Sequence, residues 1–555
     1  MISPEMWRPA DGLTLEPNAM RAATERQRNL ALTAGPGAGK TEMLAQRADF
    51  LLRTGQCRYP KRILAISFKV DASANLKERV RRRCGSVLGR RFDSYTFHAF
   101  AKRIIDRFRL VLTGKDALDV GYLIGTERIA RKQITFDDLV PLAIKILRQS
   151  TAARNAIRHT YTDVFLDEFQ DCTGHQYELI KAAFEGTDVR LTAVGDIKQK
   201  IMGWAGALDG IFQIFARDFN ALPLNMYRNF RSLPKLLRMQ NEIIRVLDAA
   251  SVMPDDQIVG EGGEVYAWRF ADTCAEAEYL ADLILHWTKI EQVPFSDVAI
   301  LVSKMLDQYA AELMAALAQR GIPYRNEAQM QDLSSEPIAR LIVDYLSCLY
   351  GHKESKAWMR LAEQLMPYDD DERQSAKRRA IHRFLKAQRK EIATLNLIEE
   401  PFADWWSFAT AFLKMLGPET LVALSPDYET RSRLKELIAQ TKTKIEQLHN
   451  TELDLLAALK QFSGDQAVRI LTIHKSKGLE FDSVIMMAVE QEVFFGKPDA
   501  ERCAFFVGVS RAKRRLVLTH ADQRPRPHNY TKRWDVDRRP HNEYFGFAAP
   551  FVTNA

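Results

Sequence analysis

Short apolar runs rich in β-branched residues recur along this chain, and each is followed by a longer segment with the apolar spacing of a helix. Apolar strands that alternate with helices are typical of parallel sheets covered on both faces. The runs fall into two groups of four, so the pattern predicts an α/β fold with two such sheets. The first group lies at 29–35, 62–68, 162–168 and 189–196, and the second at 296–304, 467–474, 481–489 and 515–520.

Two segments between these runs carry few strand signals. Residues 106–152 and 350–462 are charged and helical in their spacing, which predicts insertions that extend from the two sheets. The final residues are polar and interrupted by proline, and we expect them to be loosely structured.

The charged residues are informative about binding partners only where they cluster along the chain. The chain has 555 residues and a net charge of +8, which is mild for this length. Basic residues cluster at 76–85, 371–390 and 524–534, which is compatible with a polyanionic partner and equally with solvated helix faces.

Composition also excludes several classes of protein. No apolar run reaches the ~20 residues of a membrane span, and the first residues lack the pattern of a signal peptide. The six cysteines are scattered singly without a CxxC pair, so neither a zinc site nor a disulfide framework is indicated. We expect a reducing, cytoplasmic setting and no membrane partner.

The sequence GPGAGKT at 35–41 predicts a phosphate-binding loop. It follows an apolar run and precedes a segment with helical spacing, which is the context that such a loop requires. Glycines let main-chain N–H groups turn toward phosphates, a lysine reaches the terminal phosphates, and a threonine hydroxyl holds Mg²⁺. The predicted nucleotide-binding residues are Gly35, Gly37, Ala38, Gly39, Lys40 and Thr41.

Paired carboxylates follow a later apolar run, in VFLDEFQD at 164–171. A buried strand that ends in Asp-Glu places both carboxylates at the edge of a parallel sheet. We expect Asp167 to hold Mg²⁺ and Glu168 to orient and deprotonate the attacking water.

Phosphoryl transfer also needs positive charge near the γ-phosphate, and an arginine from a second domain couples that charge to domain closure. Arg231 in NFRS (229–232) and Arg511 in VGVSRAKRRL (507–516) are the candidates.

Taken in order, these stretches resemble the motifs of superfamily 1 helicases of the UvrD/Rep/PcrA type. The resemblance spans roughly residues 13–520, and the order of eight motifs is more specific than any one of them. The similar stretches are TAGPGAGKT (33–41), 63–80, SYTFHAF (94–100), FLDEFQD (165–171), 194–207, NFRS (229–232), 471–485 and 505–516.

The resemblance implies a two-domain motor that uses ATP and Mg²⁺. Gln199 would sense the γ-phosphate, Phe230 would stack on the base, and Gly478 and Glu480 would meet the nucleotide from the second domain. Arg511 matches the arginine finger of the last motif.

The same resemblance implies single-stranded DNA as the partner, crossing the top of both domains. Exposed aromatics beside cationic groups bind such strands without sequence preference. The residues that fall on strand-binding positions are Phe68, Lys69, His98, Trp204, His474 and Lys477.

The implied fold is two RecA-like motor domains, 1A and 2A, with reduced helical insertions, 1B and 2B. The predicted divisions are 1–105 (1A, first part), 106–152 (1B), 153–217 (1A, second part), 218–349 (2A, first part), 350–462 (2B), 463–522 (2A, second part) and 523–555 (a basic tail).

The chain departs from the family pattern at several positions. Asn18 or Ala19 stands where the family has an adenine-reading glutamine, and Glu42 follows the phosphate-loop threonine where arginine is common. Met202 and Ala205 replace a tyrosine and an arginine of the family, and the strand contact of the second motif moves to Lys69.

Two functional hypotheses follow. The first is an ATP-dependent DNA helicase or translocase, stimulated by single-stranded DNA and moving 3′→5′, in repair, recombination or phage defence. The second is a nucleic-acid-sensing ATPase subunit that regulates a partner nuclease with little unwinding, since the thinned insertions resemble the helicase-like subunit of Gabija-type defence. A helicase–nuclease fusion, suggested only by PDYETR at 426–431, has no accompanying carboxylate set.

Overall fold

The computed structural model carries two parallel sheets, as the sequence predicts. The structure describes residues 2–68, 70–125, 127–200, 207–327, 333–334, 336–351, 354–365, 371–392, 402–422, 424, 428, 431–452, 454–463, 467–528 and 530–553. Across these ranges the strands are β1 (Leu30–Ala34), β2 (Arg62–Ser67), β3 (Phe92–Thr96), β4 (Leu118–Gly125), β5 (Arg131–Thr135), β6 (Tyr161–Leu166), β7 (Arg190–Gly195), β8 (Leu222–Met226), β9 (Glu264–Asp272), β10 (Val298–Val302), β11 (Tyr324–Asn326), β12 (Val468–Thr472), β13 (Phe481–Met486) and β14 (Ala512–Gln523).

Helices fill the intervals between strands. Over the same ranges they are α1 (Pro17–Thr24), α2 (Lys40–Arg53), α3 (Val70–Gly89), α4 (Phe97–Phe108), α5 (Leu139–Gln149), α6 (Thr151–Thr160), α7 (Gly174–Phe184), α8 (Ile211–Asp218), α9 (Pro234–Leu247), α10 (Thr273–Lys289), α11 (Leu306–Tyr309), α12 (Ala311–Gln319), α13 (Pro337–Tyr350), α14 (Ser355–Leu365), α15 (Asp371–Ile392), α16 (Phe402–Leu416), α17 (Pro418–Val422), α18 (Arg431–Glu452), α19 (Leu455–Ser463), α20 (Pro498–Val509) and α21 (Asn542–Ala548).

The two sheets have the doubly covered architecture that their apolar strands indicate. The first runs β3-β2-β6-β7-β1-β8 and the second β11-β12-β10-β13-β14-β9, with parallel pairing throughout both. Successive residues of β1 enter opposite cores, because Leu30 and Leu32 pack against α2 whereas Ala31 packs with α4 and α5. This confirms the predicted fold class and brings the carboxyl ends of each sheet's strands to one edge.

Several elements differ from the expectation. Strands β3, β8, β9 and β11 join the sheets although their segments carried no strand prediction. Strand β8 contains Pro223, which is tolerated because β8 lies at the edge of the first sheet. The predicted boundary at 217/218 is therefore too early, since the chain leaves the first sheet only after Met226.

The first insertion is not wholly helical. Strands β4 and β5 form a two-stranded sheet between α4 and α5, and Ile124 and Ile134 bury this pair against the first domain's core. The second insertion, in its described part, consists of helices with a core of its own. It begins before the predicted residue 350, because α13 shares this core and its Tyr345 stacks on Phe412 at 3.9 Å.

The C-terminal segment, expected to be loose, is packed on the second sheet. Tyr544 is 1% exposed and stacks on Phe505 of α20 at 4.1 Å between ring centroids. The guanidinium of Arg524 is buried between the carboxylates of Glu276 and Glu490. The polar composition was misleading because these charges pair inside the domain. Along the described chain, no helix is long and apolar enough to cross a bilayer.

Candidate nucleotide site between the two sheets

The first wall of the site is the loop between β1 and α2. Gly37 and Gly39 adopt positive φ angles of 69° and 79°, the left-handed region that glycine enters without strain. A Cβ on Gly37 would also collide with the side chain of Asn229, which is a second reason why only glycine fits at this position. Lys40 begins α2 and turns its ammonium back to the carbonyls of Ala34 and Gly35, at 3.3 and 3.4 Å.

The remaining loop residues lie where the sequence predicts. Gly35 N donates to Met226 O of β8 at 3.2 Å, and Ala38 N donates to Gly35 O at 3.3 Å. Thr41 is half-buried in the first turn of α2, directly after Lys40. The loop therefore opens at a helix N-terminus, which favours an anionic group.

The second wall comes from the carboxyl ends of β6 and β7. Asp167 is 4% exposed, and Glu168 has a left-handed φ of 51° that turns the chain sharply after β6. Gln170 Nε2 donates to Glu168 Oε2 at 2.6 Å, while its Oε1 accepts from Asp196 N at 2.9 Å. Gln170 thereby fixes the Glu168 carboxylate against β7.

The two carboxylates have opposed electrostatic environments. Burial, reinforced by the neighbouring Glu168 charge, raises the pKa of Asp167 to about 7. Burial also acts on Glu168, but the charges of Lys40, Lys477 and Arg511 outweigh it and lower the pKa of Glu168 to about 2. Glu168 is therefore ionised near neutrality, as a residue that accepts a proton must be.

Asp167 and Thr41 suit a magnesium ion bound with a nucleotide. Burial disfavours the charge on the Asp167 carboxylate, and a divalent cation beside it would offset that cost. Mg²⁺ favours one or two carboxylates plus phosphate oxygens. Among the described residues, no three His, Cys, Asp or Glu side chains form a dedicated metal cage. When bound, Mg²⁺ would neutralise charge on the phosphate groups.

An arginine from the second domain reaches the first domain at this point. Arg511 Nη2 donates to Gln199 Oε1 at 2.7 Å, and Gln199 Nε2 donates to Asp196 Oδ2 at 2.8 Å. Arg511 is 1% exposed, and burial lowers its pKa to about 9. Its Nη1 and Nε are held by carbonyls of Leu479 and Val507, so the guanidinium is oriented by its own domain.

Lys477 makes a second connection across the same seam. Its Nζ donates to Asp171 Oδ2 at 2.5 Å and to Gln199 O at 2.9 Å, and only 5% of its side chain is exposed. The prediction that Lys477 contacts a nucleic-acid strand does not match this position, because the ammonium is turned inward between the two domains.

Arg231 is the third group at the seam. Its Nε donates to Glu480 Oε2 at 2.9 Å and its Nη1 to Ser510 O at 3.0 Å, next to Arg511. Burial favours the neutral form of Glu480, but hydrogen bonds and charge from Lys513 and Arg231 lower its pKa. Gly478, two residues earlier, has a φ of 94° that the turn after β12 requires.

Phe230 sits beside the phosphate loop. Its main-chain N donates to Gly37 O at 3.0 Å, and its ring is 61% exposed. An exposed aromatic anchored to the loop offers a stacking face for a planar base.

Three of the predicted strand-binding residues, Phe68, His98 and His474, lie at the carboxyl edges of the sheets. Phe68 and His98 follow the adjacent strands β2 and β3, and His98 stacks on Phe136 at 4.0 Å. His474 is exposed directly after β12 of the second sheet. Lys69 and Trp204 fall outside the residues that the structure describes.

Four residues that position the site had no role in the sequence analysis. Gln170 and Asp196 form a hydrogen-bonded bridge from Glu168 to Gln199, Asp171 accepts a bond from Lys477 of the other domain, and Ser510 accepts one from Arg231. Each lies within three residues of a predicted site residue, and that proximity was the signal available in the sequence.

Fold and site together define a nucleotide-hydrolysing motor with its site between two parallel-sheet domains. The UvrD/REP helicase N-terminal domain matches residues 15–116 and 124–220, and the UvrD-like helicase C-terminal domain matches 224–373 and 419–523. The chain belongs to the UvrD/Rep family of helicases, whose members are ATP hydrolases.

Named relatives match most of the chain at low identity. It is 24% identical to the ATP-dependent DNA helicase PcrA of Bacillus subtilis, over 92% of this chain and 83% of that protein. It is 23% identical to DNA helicase II of Escherichia coli, over 92% and 85%. The ATP-dependent DNA helicase Rep of Escherichia coli shares 24% over 88% of each chain.

Proposed function

We propose that this protein is an ATP-dependent DNA helicase or translocase whose hydrolysis is stimulated by single-stranded DNA, with 3′→5′ polarity taken from the family. The observation that carries the proposal is the bond from Arg511 of the second domain to Gln199 of the first. A finger arginine held in this way makes hydrolysis depend on how the two domains meet, and a strand that crosses both domains controls that meeting.

The carboxyl edge of the second sheet supports strand binding. Phe495 is 73% exposed, and Lys304 Nζ lies 3.7 Å from its ring centroid. Exposed His474 also follows a strand of this sheet. A base that stacks on such an aromatic contributes about 1–3 kcal/mol, and the ammonium offers a partner for the backbone phosphate. Phe68 and His98 provide the corresponding groups on the first sheet.

Magnesium and ATP complete the proposed site. Lys40 and Thr41 would meet the phosphates and the ion, Asp167 would hold the ion, and Glu168 would accept the proton of the attacking water. Each of these four residues lies along the carboxyl edge of the first sheet. The proposed setting is the cytoplasm, in DNA repair, recombination or phage defence.

A titration of ATP hydrolysis with single-stranded DNA, duplex DNA and RNA tests the proposal. We expect single-stranded DNA to stimulate wild-type hydrolysis most strongly and Lys40→Ala to abolish it. A plot of the logarithm of the apparent strand association constant against the logarithm of the salt concentration should have a slope of about −0.7 for each phosphate that the protein contacts. Hydrolysis that ignores every nucleic acid, or that survives Lys40→Ala, would contradict the proposal.

A second candidate is a nucleic-acid-sensing ATPase subunit that regulates a partner nuclease. It is favoured by the small first insertion, in which the described residues between α4 and α5 form little more than β4 and β5. A stable complex with a co-expressed nuclease, combined with strand-stimulated hydrolysis and no unwinding of tailed duplexes, would support it. Efficient unwinding by the isolated chain would count against it.

A further inference from the structure

The base-stacking face of the nucleotide site carries a cation of its own. The Arg228 guanidinium lies 5.7 Å from the ring centroid of Phe230, two residues along the chain. The Arg228 side chain is exposed, and among the described residues its charge acts on the Glu16 carboxylate, where it partly offsets the rise in pKa that burial causes. A guanidinium next to a stacking aromatic, beside a phosphate loop, is placed to meet a base.

The main chain at Arg228 is held in place from the N-terminal helix. Glu16, 1% exposed at the start of α1, accepts a hydrogen bond from Arg228 N at its Oε2, at 3.0 Å. Its other oxygen, Oε1, is buried and has no partner among the described residues. The main chain at Arg228 is therefore fixed by Glu16, and the second oxygen of that carboxylate, Oε1, is an acceptor without a hydrogen bond from the described residues.

The residue after the phosphate-loop threonine offers no cation toward the base. Glu42 binds the guanidinium groups of Arg79 and Arg83 on α3, at 3.3 and 2.8 Å. Gln46 also donates to Glu42, at 2.8 Å. The carboxylate is thus committed to α3, whereas the Arg228 guanidinium lies beside Phe230.

We propose that Arg228 reads the base of the bound nucleotide and makes this site accept guanine nucleotides at least as well as adenine nucleotides. This inference deepens the proposed function and rests on Phe230 stacking on the base. An arginine offers two donors to adjacent acceptors, and guanine presents N7 and O6 as such a pair. Adenine presents one acceptor and one donor, which suits an amide side chain. Asn18 lies near the position of the family's glutamine. Its side-chain Nδ2 donates a hydrogen bond to Asn225 O at 2.8 Å, so this amide nitrogen is already engaged within the protein.

Equilibrium binding of nucleoside diphosphates with Mg²⁺ tests the inference without any strand. ADP, GDP, IDP and 7-deaza-GDP are titrated against wild type and Arg228→Gln. We expect wild type to bind GDP at least as tightly as ADP and IDP similarly to GDP, because hypoxanthine keeps N7 and O6. Loss of N7 in 7-deaza-GDP should weaken binding about tenfold.

The variant supplies the decisive ratio. Arg228→Gln should lower GDP affinity relative to ADP by about tenfold, because an amide pairs with adenine N6 and N7. A change in this ratio of less than threefold, or equal binding of GDP and 7-deaza-GDP, would overturn the inference. Phe230→Ala should weaken all four nucleotides together.

A matched variant separates base reading from general loss of charge. Arg217→Gln removes a guanidinium that is 75% exposed on α8, and we expect it to leave all four affinities unchanged. Because no strand or hydrolysis enters this measurement, it remains decisive even if single-stranded DNA fails to stimulate the ATPase. Failure of the proposed function and failure of this inference are therefore distinguishable.

Discussion

The buried ion pair between Lys477 and Asp171 predicts that this lysine contributes to the coupling of the two motor domains. The exposed fractions of these side chains are only 5% and 3%, and they belong to different domains. Removing one partner of a buried pair costs about 3–5 kcal/mol, because the other charge is left without compensation. We expect the loss to fall on the contact between domains, because Lys477 also donates to Gln199 O of the first domain.

Lys477→Met should therefore weaken the closed arrangement rather than unfold either domain. A loss of about 3 kcal/mol shifts a two-state equilibrium by about 10²-fold. We expect kcat for ATP hydrolysis at saturating strand to fall by ~10–100-fold, with a thermal unfolding midpoint close to that of wild type. Lys475→Met is the control, because Lys475 Nζ binds Glu327 O within the second domain.

A double-mutant cycle with Asp171→Asn measures the pair itself. We expect a coupling energy of about 1.5–3 kcal/mol in the activation free energy of hydrolysis. Additive effects within about 0.5 kcal/mol would refute the reasoning. So would a Lys477→Met variant that loses only strand affinity and keeps kcat, because that result is expected of a residue that contacts DNA.

Three further predictions concern other parts of the structure. Glu168→Gln should reduce kcat by about 10²–10⁴ while ATP binding, followed by fluorescent nucleotide, is retained; a loss under tenfold would exclude Glu168 as the base. Tyr544→Ala should destabilise the second domain by about 3–5 kcal/mol in urea unfolding, whereas Val259→Ala, at a side chain that is 82% exposed, should change it by less than about 0.5 kcal/mol; equal effects would contradict the packed C-terminal segment. Glu42→Ala leaves the buried guanidinium of Arg83 without its main acceptor, so we expect a stability loss of about 1–3 kcal/mol with Lys40-dependent ATP binding preserved; an unchanged unfolding midpoint would show that the pairing has no effect.

The sequence predicted the central strands because these strands are apolar on both faces. Strands β1, β6, β10 and β13 are almost fully buried, and each contains a run of consecutive apolar residues in place of a regular alternation with polar ones. Edge strands were missed for the opposite reason. In β9 the burial is partial along most of its length, and β8 contains a proline that resembles a turn.

The chemistry of the site was predictable only within each motif. Local spacing was enough to identify Lys40, Asp167 and Glu168 as candidates, because each follows an apolar strand. For Lys477 the sequence predicted a strand contact but gave no sign of its bond to Asp171, which lies 306 residues earlier and in the other domain. A contact between domains depends on how two separately folded sheets meet, and no local pattern carries that information.

The central claim is that ATP is hydrolysed where Arg511 of the second domain meets the carboxylates and Gln199 of the first. Its most direct test is the single-turnover rate of ATP hydrolysis by Arg511→Ala at saturating ATP and single-stranded DNA. We predict a fall of about 10³–10⁵ with ATP affinity changed less than tenfold. A rate within tenfold of wild type would contradict the account, because hydrolysis would then proceed without the second domain's arginine.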